Sequence, residues 1–336
     1  MTAVQWSINN AKGRKTKMPP VTKQFSRMKQ NAVVVFLTAS VFCLTGFGAS
    51  AIEIRYEKTL DLLQGREGKL RPVSVACDRI SGEITITESR NSAIHVLNRD
   101  AVETFVTGKF ASLSLPQDAV CDPEGRLVCL NKSSGWVNTI TRLNIYGEPD
   151  TFSPAIPREL WSPDHLIITR DGHYLTVQAD NGFLVKHDSR TGQIIWTAFL
   201  GAESMTEGHL GRPYESPSGN ILIPGGRLFQ IFVLSPQGEL IESFGRFGSS
   251  PGRLIFPVDV ASGPDDTTLV LDRLRHKILV FDADHSFLTE FGSFGSRPGQ
   301  FYHPVSMAAD DRGSIYVAQG YQGRVQVFNL LGNREN

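Results

Sequence analysis

Four ionisable side chains recur at one spacing. Asp118, His165, Arg212 and Asp259 follow each other at intervals of 47 residues, with Ser74 and Ser306 in the same frame on either side. Two carboxylates and an imidazole can hold a divalent metal or move protons, and a guanidinium can clamp an anion. Brought together, the six would line a polar pocket. The competing reading is local. Asp and Ser at strand starts cap turns or bond backbone, and His165 and Arg212 pair with nearby acids.

The elements that must position these residues are repeated. Residues 244–260 read FGRFGSSPGRLIFPVDV and residues 291–307 read FGSFGSRPGQFYHPVSM, an offset of 47. After each comes a turn and then alternating apolar strands, at 268–271 and 277–281, and at 314–318 and 324–328. Apolar residues at every second position mark strands with a buried face. The frame extends upstream as an opening proline (Pro72, Pro116, Pro163), or Leu210 in its place, with a turn glycine about nine residues later. Six units of four antiparallel strands predict an all-β fold, a six-bladed β-propeller over 52–336. The chain ends soon after the third strand of unit six. The strand IEIRYEKTL at 52–60 is therefore expected to complete the last blade and close the ring, removing an open edge.

The segment PGQFYHPVSMAADDRGSIYVAQGYQGRVQVFN resembles the NHL-repeat family of β-propellers, and 244–281 matches nearly as well. The other units match only in frame. The resemblance implies a fold that serves as a binding scaffold in some members and as an amidating lyase in others. In NHL repeats the column two residues after the proline is commonly small and rings the channel mouth. Here it reads Ser74, Asp118, His165, Arg212, Asp259 and Ser306, which makes these the ligand-binding candidates. The amidating lyases hold zinc partly through histidines directly after the proline. The corresponding Val73, Gln117, Asp164, Gly211, Val258 and Val305 do not carry that site across. No cofactor is predicted. A metal, if held, would be calcium or zinc on Asp118, His165 and Asp259.

Weaker candidates are His209 and His303, just before the inner strands, and Glu215, a calcium-ligand type. His95, His187, His276 and His285 read as surface residues, Trp196 as a packing residue between blades, and FGRFG and FGSFG as inter-blade turns. The basic run at 273–277 reads as a solvated loop, and the segment 201–211 as a long loop able to overhang the channel.

Charge and the N-terminus bound the function. The chain has 336 residues with 34 basic and 34 acidic, but residues 1–51 hold seven bases and no acid, leaving 27 against 34 in the body. A mildly acidic body argues against nucleic-acid binding. An apolar run at 32–47 followed by Ala49-Ser50-Ala51 fits a signal peptide over 1–51, with Met1, Met18 or Met28 as the start. The alternative is an uncleaved anchor, since the run extended to Ile52 has 21 residues. Cys43 follows Phe42, which argues against a lipoprotein. The body is then periplasmic or extracellular and monomeric, touching a membrane only through that segment. Cys121 and Cys129 flank a turn and read either as a cross-hairpin disulfide or as small core residues. The expected function is binding of a protein, peptide or glycan at the loop face. The alternative is a metal-assisted hydrolase or lyase at the channel mouth.

Overall fold

The computed structural model describes residues 52–60, 70–107, 113–132, 137–144, 146–158, 161–201 and 209–331. The segment 1–51, expected to be a signal peptide, and most of the loop at 201–211 lie outside them. The described chain is all-β apart from one short 3-10 turn, Gly226–Leu228. No helix among the described residues is long and apolar enough to cross a membrane.

The strands are β1 (Glu53–Leu60), then β2 (Pro72–Cys77), β3 (Ile84–Glu88), β4 (Ala93–Leu97) and β5 (Glu103–Val106) in blade 1. Blade 2 holds β6 (Asp118–Cys121), β7 (Leu127–Lys132) and β8 (Asn138–Leu143). Blade 3 holds β9 (His165–Ile168), β10 (Tyr174–Gln178), β11 (Phe183–His187) and β12 (Ile194–Phe199). Blade 4 holds β13 (Tyr214–Glu215), β14 (Ile221–Gly225), β15 (Gln230–Leu234) and β16 (Leu240–Phe244). Blade 5 holds β17 (Pro257–Ser262), β18 (Thr268–Asp272), β19 (Lys277–Phe281) and β20 (Phe287–Phe291). Blade 6 holds β21 (Ser306–Ala309), β22 (Ser314–Gln319) and β23 (Arg324–Leu331).

Every sheet is an antiparallel meander, and the last has the order β1-β23-β22-β21. The first strand of the chain thus supplies the outer strand of the last blade, from Glu53↔Leu331 to Leu60↔Val325. Its Ile54 and Tyr56 pack on the core between blades 5 and 6, while Leu60 joins the core between blades 6 and 1. Blade 2 shows three strands among the described residues. Its outer edge is a bridge, Leu143↔Pro149, with Asp150 N–H donating to the Arg142 carbonyl at 2.9 Å. Pro149 has no N–H to give a ladder, and proline is at home on such an edge.

Apolar side chains of neighbouring blades meet face to face. Val75, Ile84 and Ile86 of blade 1 pack on Tyr316, Val325 and Val327 of blade 6, and Leu222 and Ile231 of blade 4 on Val260 and Leu279 of blade 5. Trp196 donates from Nε1 to the Pro236 carbonyl at 3.1 Å, docking blade 3 on blade 4. Gly238 lies under that ring, where an added Cβ would stand 2.8 Å from the indole. His95 and His187 depart from the expected surface placement and are fully buried. His95 pairs through Nδ1 with Glu103, and His187 Nε2 lies 3.0 Å from the Ala155 carbonyl. Each falls in the third strand of a blade, where both strand faces are covered.

The disulfide reading is corrected. Cys129 stands opposite Ala119, Cys121 opposite Leu127, and Cys77, Cys121 and Cys129 are all free thiols. Burial pushes each of them up to about 12.

Deleting residues 1–60 removes β1 and exposes the outer edge of β23. The expected result is a melting temperature lower by about 10 °C or more, as each kcal/mol is worth roughly 2–4 °C in a large domain. Thermal unfolding against the chain starting at residue 52 checks it.

Candidate functional site

In each four-stranded meander the loops before the first strand and between the second and third open at one end of the ring. The other loops open at the opposite end. The end where the inner strands begin is called the upper face here.

Five of the six join around the channel, and blade 3 enters the belt through the Leu166 backbone beside His165. Ser74 Oγ donates to Asp118 Oδ1 at 2.5 Å, linking blades 1 and 2. Asp118 Oδ2 accepts from Leu166 N–H of blade 3 at 2.9 Å and from Arg212 Nε of blade 4 at 3.0 Å. Arg212 also donates to the Leu166 carbonyl at 3.2 Å, and its N–H to the Val258 carbonyl of blade 5 at 2.9 Å. Asp259 Oδ2 accepts from Ser306 Oγ and Met307 N–H of blade 6, both at 2.8 Å. Ser306 Oγ accepts from Val75 N–H at 3.2 Å and closes the circle on blade 1. Gly211 permits the close approach of blades 4 and 5, since a Cβ there would lie 2.3 Å from the Val258 oxygen.

Asp118, Arg212 and Asp259 are buried. Burial raises Asp259 from 3.8 to about 7, against the pull of Arg212 and of the belt's donors. Of the six, His165 alone is only partly buried. Among the described residues no group of three or more His, Cys, Asp or Glu is placed to hold a metal ion. Asp118 is directed at Ser74 and Arg212, and Asp259 at Ser306.

The belt divides the channel. Above it lies a cavity of about 230 Å³, lined by Asp164, His165, Asp180, His209, Gln117 and belt residues. His209 Nδ1 sits 3.2 Å from Asp180 Oδ1, and Asp164 Oδ2 accepts from Ala179 N–H at 2.8 Å. Burial raises the Asp164 carboxyl and lowers the His165 imidazole, so both shifts favour neutral side chains. Below the belt lies a cavity of about 520 Å³ that includes Glu215. Glu215 is buried and accepts from Arg170 N–H, and burial raises its carboxyl.

A third feature covers the upper face of blades 4, 5 and 6. Its loops at 226–229, 245–256, 273–276, 292–305 and 320–323 contain Arg227, Arg246, Arg253, Arg273, Arg275 and Arg297 and no acidic residue. Among the described residues, the lower loops of the same blades carry Glu239, Asp265, Asp266, Asp282, Asp284, Asp310 and Asp311 against one base, Arg312. Phe247 and Phe294, the second Phe of each FGxFG motif, are 65% and 62% exposed. Phe247 stacks near Phe229 at 4.6 Å between ring centroids, and Phe294 near His276 at 5.0 Å and Tyr302 at 5.4 Å. His303 joins His276, Tyr302 and the exposed Tyr321. His209 meets Phe256 at 5.4 Å, so the aromatic surface reaches the upper cavity. His209, His276 and His303 all have positive φ, 46°, 56° and 45°. This conformation costs a non-glycine residue on the order of 1–2 kcal/mol.

Sequence reasoning found His209 and His303 but missed Asp164, Asp180 and the aromatic surface. The offset of 47 between Phe247 and Phe294 was the available signal. The basic run at 273–277 is less free than expected, because Arg275 and Lys277 pair with Glu290 at 2.8 and 2.5 Å.

No family model matches the chain, and no curated protein sequence matches it. Solved structures do. A catalytically inactive virginiamycin B lyase from Staphylococcus aureus, crystallised with quinupristin, aligns at TM-score 0.58 and 13% identity over 84% of this chain and 100% of that one. A streptogramin B lyase aligns at 0.59 and 12%, over 83% and 98%. The Kuenenia stuttgartiensis hydrazine synthase aligns at 0.54 and 12%, over 82% and 100%. At these identities the likeness shows the propeller fold alone.

Two outcomes test the belt. Asp118→Ala leaves Arg212 buried without its carboxylate and is expected to cost about 3–5 kcal/mol; adding Arg212→Met should recover most of it, as read by denaturant unfolding. Asp259 holds a proton in the folded ring that the unfolded chain releases. Its contribution is full below about pH 4 and is lost as pH rises through about 7. Asp259→Asn should therefore flatten the stability profile between about pH 4 and 7.

Proposed function

We propose that this chain is an exported, NHL-type β-propeller that binds an acidic segment of a partner protein across its upper face. The observation that carries the reading is the basic, aromatic surface built by the loops at 226–229, 245–256, 273–276, 292–305 and 320–323, which contain no acidic residue. Exposed rings at Phe247, Phe294 and Tyr321 give rigid contact area at low entropic cost, and Arg246 and Arg297 beside them give charge complementarity. Three histidines held at positive φ on the same surface support it, because such strain gathers at functional sites. The belt supports it too, since a rigid ring presents loops without reorganising. The basic and apolar pattern of residues 1–51 supports export, and with it a partner outside the cytoplasm.

A second reading rests on the upper cavity. A neutral Asp164 beside a neutral His165 can donate and accept a proton, as lyase or hydrolase chemistry requires, and two of the aligned propellers are lyases. Without a matching motif it ranks second.

The test is binding of the chain from residue 52 to arrayed acidic, neutral and basic peptides and to uronate oligosaccharides. Acidic peptides should bind, more weakly as salt rises. Phe247→Ala/Phe294→Ala and Arg246→Glu/Arg297→Glu should each reduce binding at least ~10-fold, about 1.4 kcal/mol. Binding only to the oligosaccharides, or binding unaffected by these changes, would overturn the proposal. Turnover of lactone or ester panels that vanishes in His165→Ala would instead establish the second reading.

A further inference from the structure

The lower cavity contains a cation that belongs to the protein itself. Arg79 sits in the turn after β2 in blade 1, and its guanidinium lies 4.7 Å from the centroid of the Tyr214 ring in blade 4. It also donates to the Glu215 carbonyl. Blades 1 and 4 are opposite each other in a ring of six, so this side chain spans the channel floor. The cavity it crosses, about 520 Å³, is within the range of small-molecule sites. Its walls above Arg79 carry Ala76, Val120, Ile167, Ala261 and Ala308 from five inner strands, and Arg212, whose charge is answered by Asp118, also reaches the lining.

The way Arg79 is held differs from the way the structural arginines are held. Arg212, Arg126 and Arg142 each reach a carboxylate within hydrogen-bonding distance. Arg79 rests on a ring face and a neutral carbonyl, and its charge acts on Glu215 only at longer range, lowering a carboxyl that burial raises. A ring face, a carbonyl and a nearby carboxylate make up the set that recognises an organic cation. The rim adds Asp78, Asp310 and Asp311. Asp78 and Asp310 cap their own turns, at 2.6 Å from Ser81 N–H and 2.8 Å from Ser314 N–H, so they contribute field more than contacts. Arg170 opposes them, but its Nε donates to the Ser216 carbonyl at 3.1 Å.

We infer that the lower cavity is a binding site for an organic cation, a guanidinium or alkylammonium on a short apolar stem, and that Arg79 occupies its cation seat when no ligand is present. A ligand enters by taking the place of Arg79 on Tyr214 and Glu215 while its stem lies along the apolar wall. The turn at 78–82 carries Arg79 aside. The acidic lower loops of blades 5 and 6 raise the local concentration of cations. The site is independent of the upper face and of its proposed partner.

Calorimetric titration with n-pentylguanidine, one guanidinium on a five-carbon stem, tests it. The wild-type chain from residue 52 should bind weakly, because the ligand competes with a tethered guanidinium. Arg79→Ala and Arg79→Gln, each confirmed folded by its melting curve, should bind at least ~10-fold more tightly. Adding Tyr214→Leu to either should abolish that gain. Hexanoate, which matches the stem but reverses the charge, should not bind. Equal pentylguanidine affinity with and without Arg79, a gain that survives Tyr214→Leu, or preference for hexanoate would overturn the inference. Should neither Arg79 variant fold, the wild type decides. Saturable pentylguanidine binding that Tyr214→Leu removes upholds the site, and no saturable binding overturns it.

Discussion

The ion pair between Asp118 and Arg212 is the constraint on which the ring depends. One carboxylate in blade 2 takes donors from blades 1, 3 and 4, and the arginine that answers it also binds blade 5 through its backbone. Asp259 and Ser306 complete the circuit to blades 6 and 1. Apolar packing between blades is non-directional and fixes no particular angle. A buried, hydrogen-bonded charge pair does, because each charge is costly to bury without its partner. The belt sets how the blades are spaced around the axis, and the strand β1 fastens the ends.

Two consequences follow for function. The polar groups of the belt face one another, so the middle of the channel offers few unused donors or acceptors. What remains for ligands lies at the two ends, and these differ in character. The upper end of blades 4 to 6 is basic and aromatic, the lower end acidic with an apolar vault. The antiparallel meander produces this polarity: alternate loops open at opposite ends, so a repeat with arginine and phenylalanine in one pair of loops and aspartate in the other gives a two-faced ring.

The fold was legible because a propeller is written as a period. The offset of 47, the opening prolines and the alternation in β18, β19, β22 and β23 give blade count and strand count, and the stray strand at 53–60 gives the closure. The column of Ser74, Asp118, His165, Arg212, Asp259 and Ser306 was legible as a column, but its use was not. In a repeat protein one spacing brings residues to the same height in the channel whether they face a ligand or each other. Which of these holds depends on the channel's radius at that height, and that is set by inter-blade packing. His95 and His187 misled for a related reason: a polar residue in a third strand looks exposed by pattern, yet both faces of that strand are covered by neighbouring blades. Arg79 and Tyr214 were illegible altogether, being 135 residues apart and joined only because blades 1 and 4 oppose each other.

Rigidity at the belt and variety in the loops fit recognition better than chemistry. A catalytic site needs groups that converge on one reacting atom, with a base oriented by a third residue. The upper cavity supplies Asp164 and His165, but the Asp164 carboxylate accepts from Ala179 N–H, and Asp180 is set beside His209. The aromatic surface asks for no such convergence. Its rings stand on turns fixed by glycines of positive φ at 245, 248, 292 and 295, so their positions follow from the backbone and change little when a ligand arrives. Affinity on such a surface comes from area and complementarity already in place, and a repeat that copies FGxFG into successive blades enlarges that area without disturbing the belt beneath it.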